Sequence, residues 1–267
     1  MLHLLQIDLK KLTNYRTFWV VGGLYFFTLG FGAASGMEFL RLLSRLIEGL
    51  GEKLNIERIP LYHFPDVWLN LIWHFGLLKI ILAIMVVISV TNEYTYRTLR
   101  QNVIDGLSRA EFLISKVLTN ILFSVISVLM IFVIGFVTGL IYSPSLEIAK
   151  ITTDLEFFLA YFLEIFFFLS FALMLGIFVQ RSGLTIILLL LAQLIELIIT
   201  SNLDDYVPAI IPFFPMRSIW NLIEWPLPRY AFQEIKDYIE WKNVLIVIVW
   251  IALFNYFSYL KLKKADI

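Results

Sequence analysis

The chain has 267 residues, 60% hydrophobic and 16% charged, with equal numbers of Lys+Arg and Asp+Glu. Soluble domains hold about 45–50% apolar and about 25% charged residues, so this balance excludes an ordinary soluble domain and predicts an integral membrane protein. Zero net charge offers no field for nucleic acid, and the absence of cysteine excludes disulfides and thiolate chemistry.

The chain opens with MLHLLQIDLKKL, which reads as an amphipathic helix rather than a cleavable signal. Leu2, Leu5, Leu9 and Leu12 share one face, with Asp8, Lys10 and Lys11 opposite. Residues 2–17 are therefore expected to lie in the plane of the membrane surface. The alternative is a straight foot of the first span.

A spanning helix needs about 20 mainly apolar residues. Six stretches meet this: Phe18–Gly36, Asn70–Thr91, Val117–Tyr142, Phe157–Val179, Leu184–Thr200 and Val244–Leu260. The runs are continuous rather than alternating, which predicts an all-α bundle and not a barrel. One membrane domain accounts for the length, leaving no room for a separate soluble catalytic domain.

With both ends inside, inner segments hold eleven Lys and Arg against five Asp and Glu, and outer segments hold nine against fourteen. Basic residues favour the cytoplasmic side, so both termini are expected to be cytoplasmic.

Between the first two spans, residues 37–68 form an outer segment containing FLRLLSRLIEGLGEKL. Its apolar stripe alternates with Arg41, Arg45, Glu48 and Glu52, and Arg45 is spaced to meet Glu48 or Glu52. Such a helix either lies on the outer surface or covers a partner subunit, or is a solvated spacer.

Asn92–Lys116, NEYTYRTLRQNVIDGLSRAEFLISK, is a charged segment between two apolar runs. Glu93, Arg97 and Arg100 recur at helical spacing, and Glu93 is expected to pair with Arg97. Leu99, Val103 and Ile104 supply an apolar patch, and Asp105-Gly106 is a turn signal. Ser108 and Glu111 have capping-box spacing. The segment thus reads as a short helix along the membrane, a turn, and a second helix climbing into span three.

The loop Gln180-Arg181-Ser182-Gly183 makes spans four and five antiparallel neighbours. In residues 202–242, Pro208, Pro212, Pro215, Pro226 and Pro228 forbid one long helix. Ile210, Ile211, Phe213 and Phe214 lie among these breakers, so a broken, partly inserted element is expected, with a wholly external loop as the alternative. Phe232–Trp241 reads as a short helix leading into the last span.

Lys79, Glu164 and Glu196 lie inside spans, all in the outer half. Ionisable residues there are costly and are functional candidates by default. Pairing of Lys79 with Glu164 or with Glu196 would remove two unpaired charges, as a structural ion pair or as a polar lining for substrate. His63, Asp66 and His74 lack metal-ligand spacing and are read with Tyr62, Trp68 and Trp73 as an interfacial belt. No catalytic motif and no metal site is evident.

In layout, and in the order Glu93, Thr98-Leu99-Arg100, Ser108-Arg109, Lys116, the chain resembles permeases of the type-2 ABC exporter family. That family has a basic in-plane N-terminal helix, six spans, both ends inside, and the same residue order after span two. The layout covers nearly the whole chain, while the residue pattern covers only this segment. It departs at Tyr96-Arg97, where a Gly often precedes the Thr, and at Gly106-Leu107, where a Pro often precedes the Ser.

The resemblance implies a coupling helix at Thr98–Asp105 docking on a separate ABC ATP-binding subunit. Glu93, Arg97, Thr98, Leu99, Arg100, Asp105, Ser108 and Arg109 would be its coupling residues. It also implies a homodimer or a heterodimer with a second permease in an inner membrane of bacterial type. The chain has no G-x-x-x-x-G-K-[ST] loop, so ATP and Mg²⁺ would be held by the partner. The expected role is export of a lipid-like, peptide or drug substrate. The competing readings are an ATPase-coupled scaffold or sensor without transport, and an intramembrane enzyme acting through Glu164 or Glu196.

Overall fold

The computed structural model describes residues 2–46, 60–231 and 238–264. Among the described residues the regular structure is helical, with no strand. In chain order the α-helices are α1 (Leu2–Thr13), α2 (Arg16–Leu46), α3 (Asp66–Gly76), α4 (Lys79–Thr95), α5 (Thr98–Ile104), α6 (Arg109–Tyr142), α7 (Ile148–Thr152), α8 (Phe157–Val179), α9 (Ser182–Leu203), α10 (Pro215–Trp220) and α11 (Trp241–Lys264). Two 3₁₀ turns, Pro208–Phe213 and Leu227–Ala231, flank α10.

Four helical stretches are long and apolar enough to cross a membrane: Arg109–Tyr142, Ile148–Val179, Ser182–Leu203 and Trp241–Lys264. Helices α3 and α4 form a fifth if counted as one span, bent by 43° between them. These lengths and compositions suit a membrane protein.

Helix α8 is the axis of the bundle. It packs against α3, α4, α6, α9 and α11, and Phe167, Phe168, Leu169, Ser170, Ala172 and Leu173 are fully enclosed. An element apolar all round has no outward face to protect, so it takes the centre. Helix α9 is its opposite: Leu190, Leu191, Leu194, Ile195, Leu197 and Ile198 all remain exposed. Close packing by small residues does much of the joining. A Cβ added at Gly135 of α6 would meet Trp68 of α3 at 2.7 Å, so glycine is what lets that large ring lie flush on the helix.

Several expected boundaries move. Helix α2 continues past Gly36 to Leu46, with no proline to stop it. Residues 47–59 lie outside the described residues, as does the expected pairing of Arg45 with Glu48 or Glu52. The second span begins at Asp66 rather than Asn70 and breaks at Leu77-Leu78. Helix α6 starts at Arg109, directly after the Ser108 cap that the sequence indicated and eight residues before the apolar run. Ser108 Oγ accepts from Glu111 N–H at 3.2 Å, and Glu111 Oε2 accepts from Ser108 N–H at 2.8 Å. The Pro-rich region is broken as its prolines require. Most of the helix expected at Phe232–Trp241 lies outside the described residues, and α11 begins at Trp241.

Candidate functional site: a buried ion network beneath a short surface helix

At the end of the bundle where α1, α4, α5 and α6 meet, two carboxylates and two ammonium groups are linked. Asp8 of α1 is 2% exposed. It accepts from Lys116 Nζ and from Thr119 Oγ1 of α6, each at 2.6 Å. Lys116 also donates to Ser89 Oγ at 3.0 Å and lies 3.3 Å from Glu93 Oε1. Glu93 is buried near the end of α4 and holds Lys11 Nζ at 3.2 Å and the Thr98 hydroxyl at 2.5 Å. Lys11 completes the set by donating to Asn102 Oδ1 of α5 at 3.1 Å.

Formal charges cancel within the group, and each of the four ions has at least two polar partners. That is the condition under which buried ions are tolerated. Tyr15, between α1 and α2, stands at the edge: burial, and next the Glu93 carboxylate, push its phenol pKa up.

This geometry corrects two expectations. Asp8 does not face water: it is enclosed, and with half-buried Lys11 and buried Leu12 it lies on the face by which α1 docks on the bundle, while Leu2 is 77% exposed. Glu93 does not pair with Arg97. It turns inward because α6 brings Lys116 to it, and an enclosed carboxylate gains more from an enclosed ammonium than from a solvated guanidinium.

Arg97 instead precedes α5 with φ 55°, the left-handed conformation that favours glycine. The position where the resembling family often carries Gly is thus one where the backbone asks for it. Leu99 pins α5 to the bundle, while Arg97, Arg100, Gln101 and Ile104 face outward at helical spacing. Ile104 is 69% exposed, and Asp105 is tied locally to Gln101 at 3.0 Å.

Arg109 is engaged elsewhere. Its guanidinium donates to the carbonyls of Leu262 and Lys263 at 2.9 and 2.7 Å, satisfying the last turn of α11.

The intramembrane candidates separate. Lys79 pairs with Glu164 and not with Glu196. Its ammonium lies 5.7 Å from the ring centres of both Phe168 and Trp220. A cavity of about 20 Å³ adjoins the pair, lined also by Trp73, Leu77 and Ile219, room for about one water molecule. The Glu164 carboxylate rests on Gly76, where an added Cβ would come within 3.1 Å of both oxygens. Glu196 accepts from the Arg217 backbone N–H at 2.6 Å, which satisfies the first turn of α10.

Asp66 is taken by Arg229 at 2.6 Å, with Tyr230 Oη at 3.3 Å. Burial pushes the Tyr230 pKa up to about 12. His74 Nδ1 meets the Asn70 carbonyl at 2.7 Å. Among the described residues no three His, Asp or Glu side chains are grouped to hold a metal.

The residues missed by sequence reasoning are Asp8, Lys11, Asn102, Lys116 and Thr119 as members of one network. A signal existed: Asp8/Lys11 and Lys116/Thr119 are both spaced i, i+3, and Lys116 and Thr119 are early polar residues of an otherwise apolar helix.

Residues 61–267 match the family described as "Protein of unknown function (DUF2705)", and the chain belongs to that family. No curated protein matches it.

Proposed function

We propose that this DUF2705 protein is the membrane subunit of an ATP-driven ABC transporter, driven by a separate ATP-binding subunit that docks on α5. The observation that carries the reading is the two-sided character of α5. Its inner side is fastened by Leu99, Thr98 and Asn102 to the ion network joining α1, α4 and α6. Its outer side, Arg97, Arg100, Gln101 and Ile104, is exposed. A helix that is held rigidly from within and bare outside suits the transfer of a push into the bundle.

In this reading the chain has six spans: α2, the bent pair α3–α4, α6, α8, α9 and α11. Both termini and α5 lie on the cytoplasmic side, as the Lys/Arg distribution favours. The permease works as a dimer, ATP and Mg²⁺ belong to the partner, and the cargo is lipid-like, a peptide or a drug.

The test is co-purification of the chain with an ATP-binding subunit, using Arg100→Glu combined with Ile104→Glu. Arg109 is left intact because its guanidinium holds α11. The expected result is a folded membrane protein that no longer brings down the ATPase. Full retention, with ATPase activity still stimulated, overturns the reading. Export by vesicles containing both subunits separates transport from scaffold or sensor work.

A further inference from the structure

A second built cavity lies away from the ion network, between α9 and α10. It has a volume of about 320 Å³ and is lined by Gln193, Glu196, Leu197, Met216, Arg217 and Trp220. Thr200 closes one wall. Pockets for small organic groups start near about 300 Å³, so this one suits a headgroup and not a whole lipid.

Its two charges are of opposite sign and do not neutralise each other. Backbone N–H groups of Met216 and Arg217 engage the Glu196 carboxylate. A carboxylate has about four acceptor positions, so capacity remains. Arg217 is an exposed residue that lines the same cavity, and its guanidinium meets no carboxylate among the described residues.

The surroundings specify the rest. Glu196 is seven residues before the end of α9 at Leu203. At about 1.5 Å per residue this is roughly 10 Å below the helix end, the depth of the headgroup and upper acyl region. Beside the cavity, Leu194, Leu197 and Ile198 form an exposed aliphatic track along α9. An acyl chain can follow that track while its headgroup turns inward. A purely anionic headgroup would leave Glu196 facing like charge, and a purely cationic one would do the same to Arg217. The ligand that answers both charges carries a phosphate and an ammonium.

We infer that the α9–α10 cavity binds the headgroup of a zwitterionic phospholipid, phosphate on Arg217 and ammonium on Glu196, with its acyl chains along α9. That the lipid comes from the outer leaflet rests on the orientation proposed above; the binding itself does not. The Trp220 ring, one wall of the cavity, also faces Lys79. Headgroup entry therefore presses on the element that covers the Lys79–Glu164 pair.

The test is native mass spectrometry of the purified full chain with phosphatidylethanolamine, phosphatidylglycerol or soluble phosphoethanolamine, without any ATPase. Phosphatidylethanolamine is expected to be retained over phosphatidylglycerol, and Arg217→Gln and Glu196→Gln each to cut its retention about tenfold. Glu196→Gln should raise phosphatidylglycerol retention, because it removes the like charge that an anionic headgroup meets.

Arg217→Gln keeps the backbone N–H that Glu196 holds, so it decides the matter if Glu196→Gln unfolds α10. Unchanged retention in Arg217→Gln, or equal retention of the two lipids, overturns the inference. Full competition by soluble phosphoethanolamine overturns the lipid assignment in favour of a free zwitterion. Failure to capture an ATPase sinks the transporter reading and leaves this site standing. Loss of lipid selectivity with capture intact does the reverse.

Discussion

The two charged regions of the molecule solve the same problem differently. At the α1–α4–α5–α6 end, four charges are shared among four helices, and each ion has more than one partner. In the α3–α4–α8 region a single ammonium meets a single carboxylate, boxed by aromatic rings. The first arrangement reaches an exposed helix and links it to the bundle. The second is local and holds one bend. A shared network transmits displacement, because no member moves without its neighbours; an isolated pair fixes geometry at one point.

That contrast is open to attack by substitution. The largest effect is expected from Lys116→Met, which strands Asp8 in the interior and leaves Glu93 with Lys11 as its one ammonium partner. Unpaired buried charge costs about 3–5 kcal/mol, so thermal unfolding in detergent should fall well below the parent chain. Equal stability would mean that the network is solvated and not shared.

At the Lys79–Glu164 pair, Lys79→Met alone should cost about 3 kcal/mol by stranding Glu164, while Lys79→Met with Glu164→Leu should recover most of it. A double variant no better than the single one would give the pair a role beyond mutual neutralisation. The same double replacement at Lys116 and Asp8 should recover less, because Glu93, Ser89 and Thr119 each lose a partner that the pair supplied. Unfolding curves for the four proteins compare the two regions directly.

A smaller loss, about 1 kcal/mol, is expected from Ser108→Ala through the missing cap of α6. Proteolysis near Gly106 would report fraying there. Smaller still is Arg97→Gly. Relief of the left-handed strain, roughly 1 kcal/mol, is offset by the entropy of glycine, so the net change in unfolding should stay within about 0.5 kcal/mol. Arg97→Val should be clearly worse, since a β-branched residue resists φ 55°.

What was legible in the sequence follows from which forces are local. The Ser108 cap depends on residues three apart, and the breaks at Pro208–Pro215 depend on ring chemistry, so both can be read directly. The apolar lengths of α6, α8 and α11 are equally plain. The bend after Gly76 was not, because no proline marks it. It falls where the Glu164 carboxylate, from a distant helix, occupies the space beside that glycine.

Asp8 was assigned to the wrong side for a related reason. Amphipathic patterning treats charged residues as water-facing, and only knowledge that Lys116 comes from α6 reverses it. Lys79 had two candidate partners on paper, and the choice between them was made by packing: Glu196 is committed to the first turn of α10.

The Lys79–Glu164 contact spans 85 positions in the chain, and that separation has a consequence for how the protein is made. If the spans enter the bilayer in order from the ribosome, the lysine arrives long before its carboxylate. At about 5–20 residues per second the interval is roughly 4–17 s. During that time a lone ammonium near the bilayer centre costs about 2.5–3.5 kcal/mol. The bent span of α3 and α4 is therefore expected to stay beside the translocon until α8 emerges. Biogenesis, more than the finished bundle, bears the burden of that one charge.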